Sequence, residues 1–159
     1  MSVPLMLGLA CALIGALAAR RLQRRSAYLR AWQRALIAMH AASAYARANC
    51  AQILRAGASE ARELIPVARA VELEGADAEK RYLDTSARQP LKAEERTVLL
   101  SVMRALSSGG REEIGAALAY AIERFRQFCA DCDRRRDADA RMYMTLGVLS
   151  GLCVFLILE

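Results

Sequence analysis

Residues 111–158 read REEIGAALAYAIERFRQFCADCDRRRDADARMYMTLGVLSGLCVFLIL, and this stretch decides the fold. It contains no proline, and its glycines, Gly115, Gly147 and Gly151, are scattered. Ile114, Leu118, Ala121, Phe125, Phe128 and Cys132 recur in steps of four and three, the spacing of one face of a helix. The stripe turns polar at Arg135 and Asp139 and re-emerges at Met142. The spacing predicts one helix from Arg111 to Leu158, roughly 70 Å long at 1.5 Å per residue. Its last part, from Tyr143 to Leu158, carries no charge, and Arg134, Arg135, Arg136 and Arg141 stand before it.

The other end of the chain mirrors this arrangement. Met1 to Ala19 is uncharged, and Arg20, Arg21, Arg24 and Arg25 follow at once. Two such runs read as membrane spans, over 1–19 and 142–158. Arginines on the inner side of both place residues 20–141 in the cytoplasm. Ala16-Leu17-Ala18 looks like a signal-peptidase site, and Leu9-Ala10-Cys11 hints at a lipoprotein box. Neither has a basic residue before its apolar run, so an uncleaved span is the reading the flanks favour.

All 23 Lys and Arg of the 159 residues lie in 20–141, with 16 of the 17 acids, leaving +7 there. Arginines at both roots should attract anionic lipid headgroups. No nucleic-acid motif accompanies the charge, so nucleic acid is not an expected partner. Of the five cysteines, Cys11 and Cys153 fall in the apolar runs. Cys50, Cys129 and Cys132 fall in the section placed in the reducing cytosol, where disulfides are rare.

Alanine, arginine and leucine dominate the middle, a helical composition. Leu22, Leu29, Trp32, Leu36, Met39, Ser43, Ala46, Cys50 and Ile53 form a second seam, broken only at Arg25, with neither Gly nor Pro from Arg20 to Ala56. It predicts a helix continuous with the first apolar run and capped by Gly57. Short helices should follow: a turn capped by Ser59, one begun by Pro66 and ending near Gly75, and one capped by Asp77. Glu94 to Leu106 should be amphipathic, with Val98, Leu99, Val102, Met103 and Leu106 inward. Ser107-Ser108-Gly109-Gly110 is the strongest turn signal. The expected fold is therefore all-α: two long antiparallel helices continuous with the terminal spans, capped by short helices in a helical bundle. Across those helices Arg25 is expected to pair with Asp137 or Asp139.

Candidate chemistry is sparse. Cys129-Ala130-Asp131-Cys132 is a CxxC set in mid-helix, without the strand–helix setting of a redox motif. The remaining soft ligands, His40 and Cys50, lie at levels roughly 10 to 30 Å away at helical rise, so no metal site is expected. Glu94-Glu95 and Glu112-Glu113 open helices, where acids complement the macrodipole. No phosphate-binding loop, dinucleotide fingerprint or HExxH is present, and neither an enzyme nor a cofactor is expected. Gly147 and Gly151 form a GxxxG, and Gly8 and Ala12 repeat the spacing in the first run, so these faces are expected to pack spans together.

The architecture resembles the stage III sporulation protein AB family of endospore formers. The carrying residues are Leu91-Lys92-Ala93-Glu94-Glu95, Leu99, Leu106, and Arg141-Met142-Tyr143-Met144-Thr145-Leu146-Gly147-Val148-Leu149-Ser150-Gly151-Leu152. The Arg-rich exit from the first run, with Leu29, Leu36 and Tyr45-Ala46-Arg47, also fits. Departures are Ala48-Asn49-Cys50 where the family often has Pro-Leu, and Leu106-Ser107 and Ile114 where it often has Leu-Gly and Gln. The resemblance implies a non-enzymatic platform subunit of the channel between mother cell and forespore, similar in its helical domain to inner-membrane platform proteins of type II secretion and type IV pili. Its implied partners are other proteins of the complex, above all a cytosolic secretion-type ATPase, with homo-oligomers possible. The competing reading is a membrane-tethered signalling or sensor module, dimerising along the 22–53 seam. A small membrane enzyme built on His40 or Cys129 is the third.

Overall fold

The computed structural model describes the backbone of residues 3–44, 48–87 and 89–158, and the side chains of 23–44, 48–87, 89–139, 142 and 145. Among the described residues six α-helices follow one another: α1 Val3–Ala44, α2 Cys50–Ala58, α3 Ile65–Glu74, α4 Ala78–Ser86, α5 Ala93–Ser108 and α6 Arg111–Leu158, with a 3₁₀ turn at Arg62–Leu64 before α3. No strand occurs among the described residues. The chain is all-α, and α6 has the bounds its spacing predicts.

Among the described residues, no helix is long and apolar enough to cross a membrane. The expected spans over 1–19 and 142–158 gain no support there. They continue α1 and α6 as helical backbone, but nearly all their side chains lie outside the described residues.

The chain divides into two compact units, Leu29–Phe128, and Met1–Tyr28 with Cys129–Glu159. In Leu29–Phe128 the core is built from large side chains. Leu29, Trp32, Leu36 and Met39 of α1, Leu54 of α2, Tyr82 of α4, Leu99 and Met103 of α5, and Leu118 and Phe125 of α6 are each at most 1% exposed. Trp32 meets Tyr82 edge-on, with ring centroids 6.3 Å apart and planes at 86°, a geometry that sets the positive ring edge against a negative face. Arg111 Nη2, in the first turn of α6, donates to the carbonyls of Ser43 (3.4 Å) and Ala44 (3.1 Å) at the end of α1. A cation thus satisfies carbonyls that a helix C-terminus leaves open, and it joins the end of one long helix to the start of the other.

The first long helix departs from expectation. It ends at Ala44 rather than continuing to Gly57. Asn49 restarts the chain with a reciprocal cap: its side chain accepts from the Gln52 N–H (2.9 Å), and the Gln52 side chain accepts from the Asn49 N–H (3.1 Å). This arrangement satisfies two donors at a new helix start, which a helix interior would not require. Gly57 caps nothing; it is a buried residue inside α2. A Cβ there would lie 2.7 Å from Met39 Cγ and Sδ and 2.9 Å from Leu64 Cδ1. The left-handed cap is Gly75, at φ +62° after α3.

The short helices follow their local chemistry. Pro66 sits in the first turn of α3, where its missing N–H costs nothing. Ser59 closes α2 instead of opening a turn, its hydroxyl donating to the Ala56 carbonyl at 2.7 Å. Asp77 caps α4 by accepting from the Glu79 N–H at 2.8 Å. Glu95, 3% exposed, accepts from the Lys92 N–H at 2.8 Å and so secures the start of α5.

In the unit of Met1–Tyr28 and Cys129–Glu159 the described interior is small and partly polar. Ser26, Cys129 and Cys132 are 3%, 7% and 8% exposed. The Ser26 hydroxyl donates to Asp133 Oδ1 at 2.9 Å. The α1 seam therefore passes through Ser26, with Arg25 beside it half-buried. Asp137, one of the two partners expected for Arg25, is bonded by Arg136 at 3.1 Å.

Candidate docking surface

Leu29–Phe128 also carries the features that bear on recognition, and they begin with α3. Its inward residues, Val67, Ala68 and Ala70, are buried, as is Leu64 just before it. Two of its outward residues are large and apolar: Ile65 is 43% exposed and Leu73 75%. Arg69 stands between them, also exposed. Residues four apart in a helix are rotated by about 40°, so Ile65, Arg69 and Leu73 form one stripe. Exposed Arg62, one 3₁₀ turn earlier, extends it.

Four arginines of the surrounding helices are engaged. Arg34 bridges from α1 to Glu60 at 2.9 Å, and Arg55 from α2 to Glu72 at 3.1 Å. Arg81 joins α4 to Glu74 at 2.7 Å. Arg104 of α5 holds Glu79 of α4 through two nitrogens, Nη2 at 2.7 Å and Nε at 3.1 Å. Pairing lifts the proton affinity of Arg81 and Arg104 further above an already high value, chiefly through these hydrogen bonds to Glu74 and Glu79. The side chains of Arg62 and Arg69, in contrast, make no ion pair or hydrogen bond among the described residues. The stripe thus has free positive charge flanked by exposed apolar groups.

The contact between α4 and α5 is a polar node. Ser107 donates to Asp77 Oδ1 at 2.6 Å, and its oxygen accepts from the Glu79 N–H at 3.3 Å. The Ser107 bond, followed by the Glu79 N–H, holds the Asp77 carboxyl below the usual carboxylate range. Burial pushes the Cys50 thiol up, and the charge of Asp77 adds to the effect. A raised thiol pKa suppresses the thiolate, so half-buried Cys50 is disfavoured as a nucleophile.

The residues singled out from the sequence fall in several places. Arg24 and Arg135 are exposed and Arg136 half-buried, the last bonded to Asp137. The side chains of Arg20, Arg21 and Arg141 lie outside the described residues, as do Gly8, Ala12, Gly147 and Gly151 as packing positions. Cys129 and Cys132 are buried on one face of α6. His40 is an exposed residue of α1. Among the described residues, no group of three or more His, Cys, Asp and Glu is placed to hold a metal ion. Sequence reasoning missed the stripe on α3; the spacing of Val67 and Ala68, both buried, is the signal that could have found it.

Compared with known proteins, residues 3–159 match the family model of stage III sporulation protein AB. No curated protein matches. No solved structure matches.

Proposed function

The chain belongs to the stage III sporulation protein AB family, and from this premise we propose that it is a membrane platform subunit of the sporulation complex. Membership makes it a stage III sporulation protein, with other stage III proteins as its partners. In the proposed reading the apolar runs 1–19 and 142–158 cross the membrane, residues 20–141 face the cytoplasm of the mother cell, and this body docks a cytosolic secretion-type ATPase. The protein has no catalytic step of its own; it transmits force or position between the ATPase and the channel.

The observation that carries the reading is the family match along 3–159. The sequence adds the arginines, which flank both apolar runs on the inner side. The body between them is a helical core with paired surface charges, suited to holding a shape. The homodimeric sensor reading loses its seam: Leu29 and Leu36 are 1% and 0% exposed within a single chain.

Four measurements test the proposal. Cysteine-labelling reporters at Ala58 and Ala87 should be protected from an impermeant reagent in intact cells, and labelling from outside would overturn the topology. Deletion of the gene should block sporulation after engulfment, and normal spores would end the sporulation role. The full chain in nanodiscs should retain the purified ATPase of the complex, and failure to do so would remove the docking role. His40→Ala and Cys129→Ala should sporulate normally; loss of function in either would revive an enzyme.

A further inference from the structure

We propose that the outer stripe of the 3₁₀ turn and α3, made of Arg62, Ile65, Arg69 and Leu73, is the face on which the body docks an acidic amphipathic helix of a partner protein. The inference rests on the platform reading, in which the ATPase supplies this helix. Two observations meet here. Large apolar side chains stand in solvent on a helix whose other face is buried, with Ile65 43% and Leu73 75% exposed. Single exposed apolar residues are ordinary, but these two frame Arg69, and Arg62 and Arg69 make no ion pair among the described residues. Nearby Arg34, Arg55, Arg81 and Arg104 all reach a glutamate. Four surface arginines around α3 are neutralised, and the two that lie along the apolar stripe are not.

This pattern specifies its occupant. Two aliphatic anchors one helical stripe apart match the i, i+4, i+7 anchors of an amphipathic helix laid alongside. Two unpaired cations in the same stripe call for carboxylates on the rim of that helix. Such charges steer association and make it salt-sensitive, while the apolar anchors supply the holding energy. An anionic bilayer presents negative charge too. It favours arginines and aliphatic groups on a broad face, however, and here they lie along a single helical stripe.

The full chain in phosphatidylcholine nanodiscs, titrated with the purified ATPase, tests the inference. Arg62→Glu with Arg69→Glu should weaken binding roughly tenfold or more, and Leu73→Ser should do so by roughly tenfold through loss of an anchor. Lys92→Glu, a charge reversal at the exposed residue before α5, should leave binding unchanged. Raised salt should weaken the wild type and spare the Arg62→Glu/Arg69→Glu variant. Unchanged melting temperatures should accompany the losses, since all four side chains are in solvent. If the wild type binds and the variants bind equally, this face is wrong while the platform reading stands. If the wild type does not bind the ATPase, both fall. If the double variant instead loses co-sedimentation with phosphatidylglycerol vesicles and keeps the ATPase, the face is a lipid contact and the inference is overturned.

Discussion

The core of Leu29–Phe128 and the interior of the unit formed by Met1–Tyr28 and Cys129–Glu159 use the same two long helices with opposite materials. The first is filled by Trp32, Tyr82, Phe125, leucines and Met39, all at most 1% exposed. The second, where described, closes on Ser26, Cys129 and Cys132, with Ser26 bonded to Asp133. Large side chains let α1 pack against α4 through Trp32 and Tyr82, because each buried aromatic supplies much apolar area. Small side chains serve where a pair of helices approach each other with little between them. The same helical period therefore produces a core held by volume and an interface held by fit and a hydrogen bond.

The largest effect expected from this contrast is Trp32→Ala, which empties the centre of the first core. A cost of about 3–5 kcal/mol follows from removing a buried aromatic, read as a lowered urea midpoint of the protein in detergent. A loss below about 1 kcal/mol would show that the core collapses freely and is not held by volume. Trp32→Phe sharpens the point. Trp32 Nε1 is buried with no hydrogen-bond partner, so removing it relieves an unmet donor, and most of the stability should return. Gly57→Ala should come next, at about 1–3 kcal/mol, because its Cβ would sit 2.7 Å from Met39. Pairing it with Met39→Ala should recover part of the loss; strict additivity would mean that the two sites do not touch.

In the small-residue unit the effects should be smaller and of another kind. Cys132→Ala removes little volume and should cost less than about 1 kcal/mol. Ser26→Ala should cost about 1 kcal/mol by deleting the bond to Asp133. Equal costs for Trp32→Ala and Cys132→Ala would erase the distinction between the two interiors.

Much of this was legible in residue spacing. The bounds of α6, the Pro66 start and Gly75 end of α3, the Asp77 cap and the inward face of α5 all follow from periodicity and cap chemistry. The break in the first long helix was not. Met39 and Ile53 are both buried and keep the seam spacing between them, so periodicity runs on although the helix does not. The signal was the pair Asn49 and Gln52, three apart, which is a capping box as readily as two interior residues. Arg25 stood at the seam on a three-step, but a four-step brings Ser26 there, and the smaller residue is the one buried. The docking stripe was not read from the sequence. Which arginines are already paired depends on Glu60, Glu72, Glu74 and Glu79 folding back, and no local pattern reveals that.

The smallest effect tests the polar seam between α4 and α5, which belongs to neither kind of interior. Asp77 accepts from Ser107 and from the Glu79 N–H, and its carboxyl is held below its ordinary value of 3.8. A carboxyl lowered by folding binds its proton less readily in the native state. Its contribution is therefore complete above the ordinary value and is lost as pH falls through the lowered one. Asp77→Asn keeps a good helix cap without the titration. The stability gap between wild type and Asp77→Asn should be constant near neutral pH and shift against the wild type below 3.8. Ser107→Ala removes the leading cause of the lowered value, so in that background the shift should shrink. A gap that does not change with pH in either background would mean that Ser107 holds Asp77 no more tightly folded than unfolded.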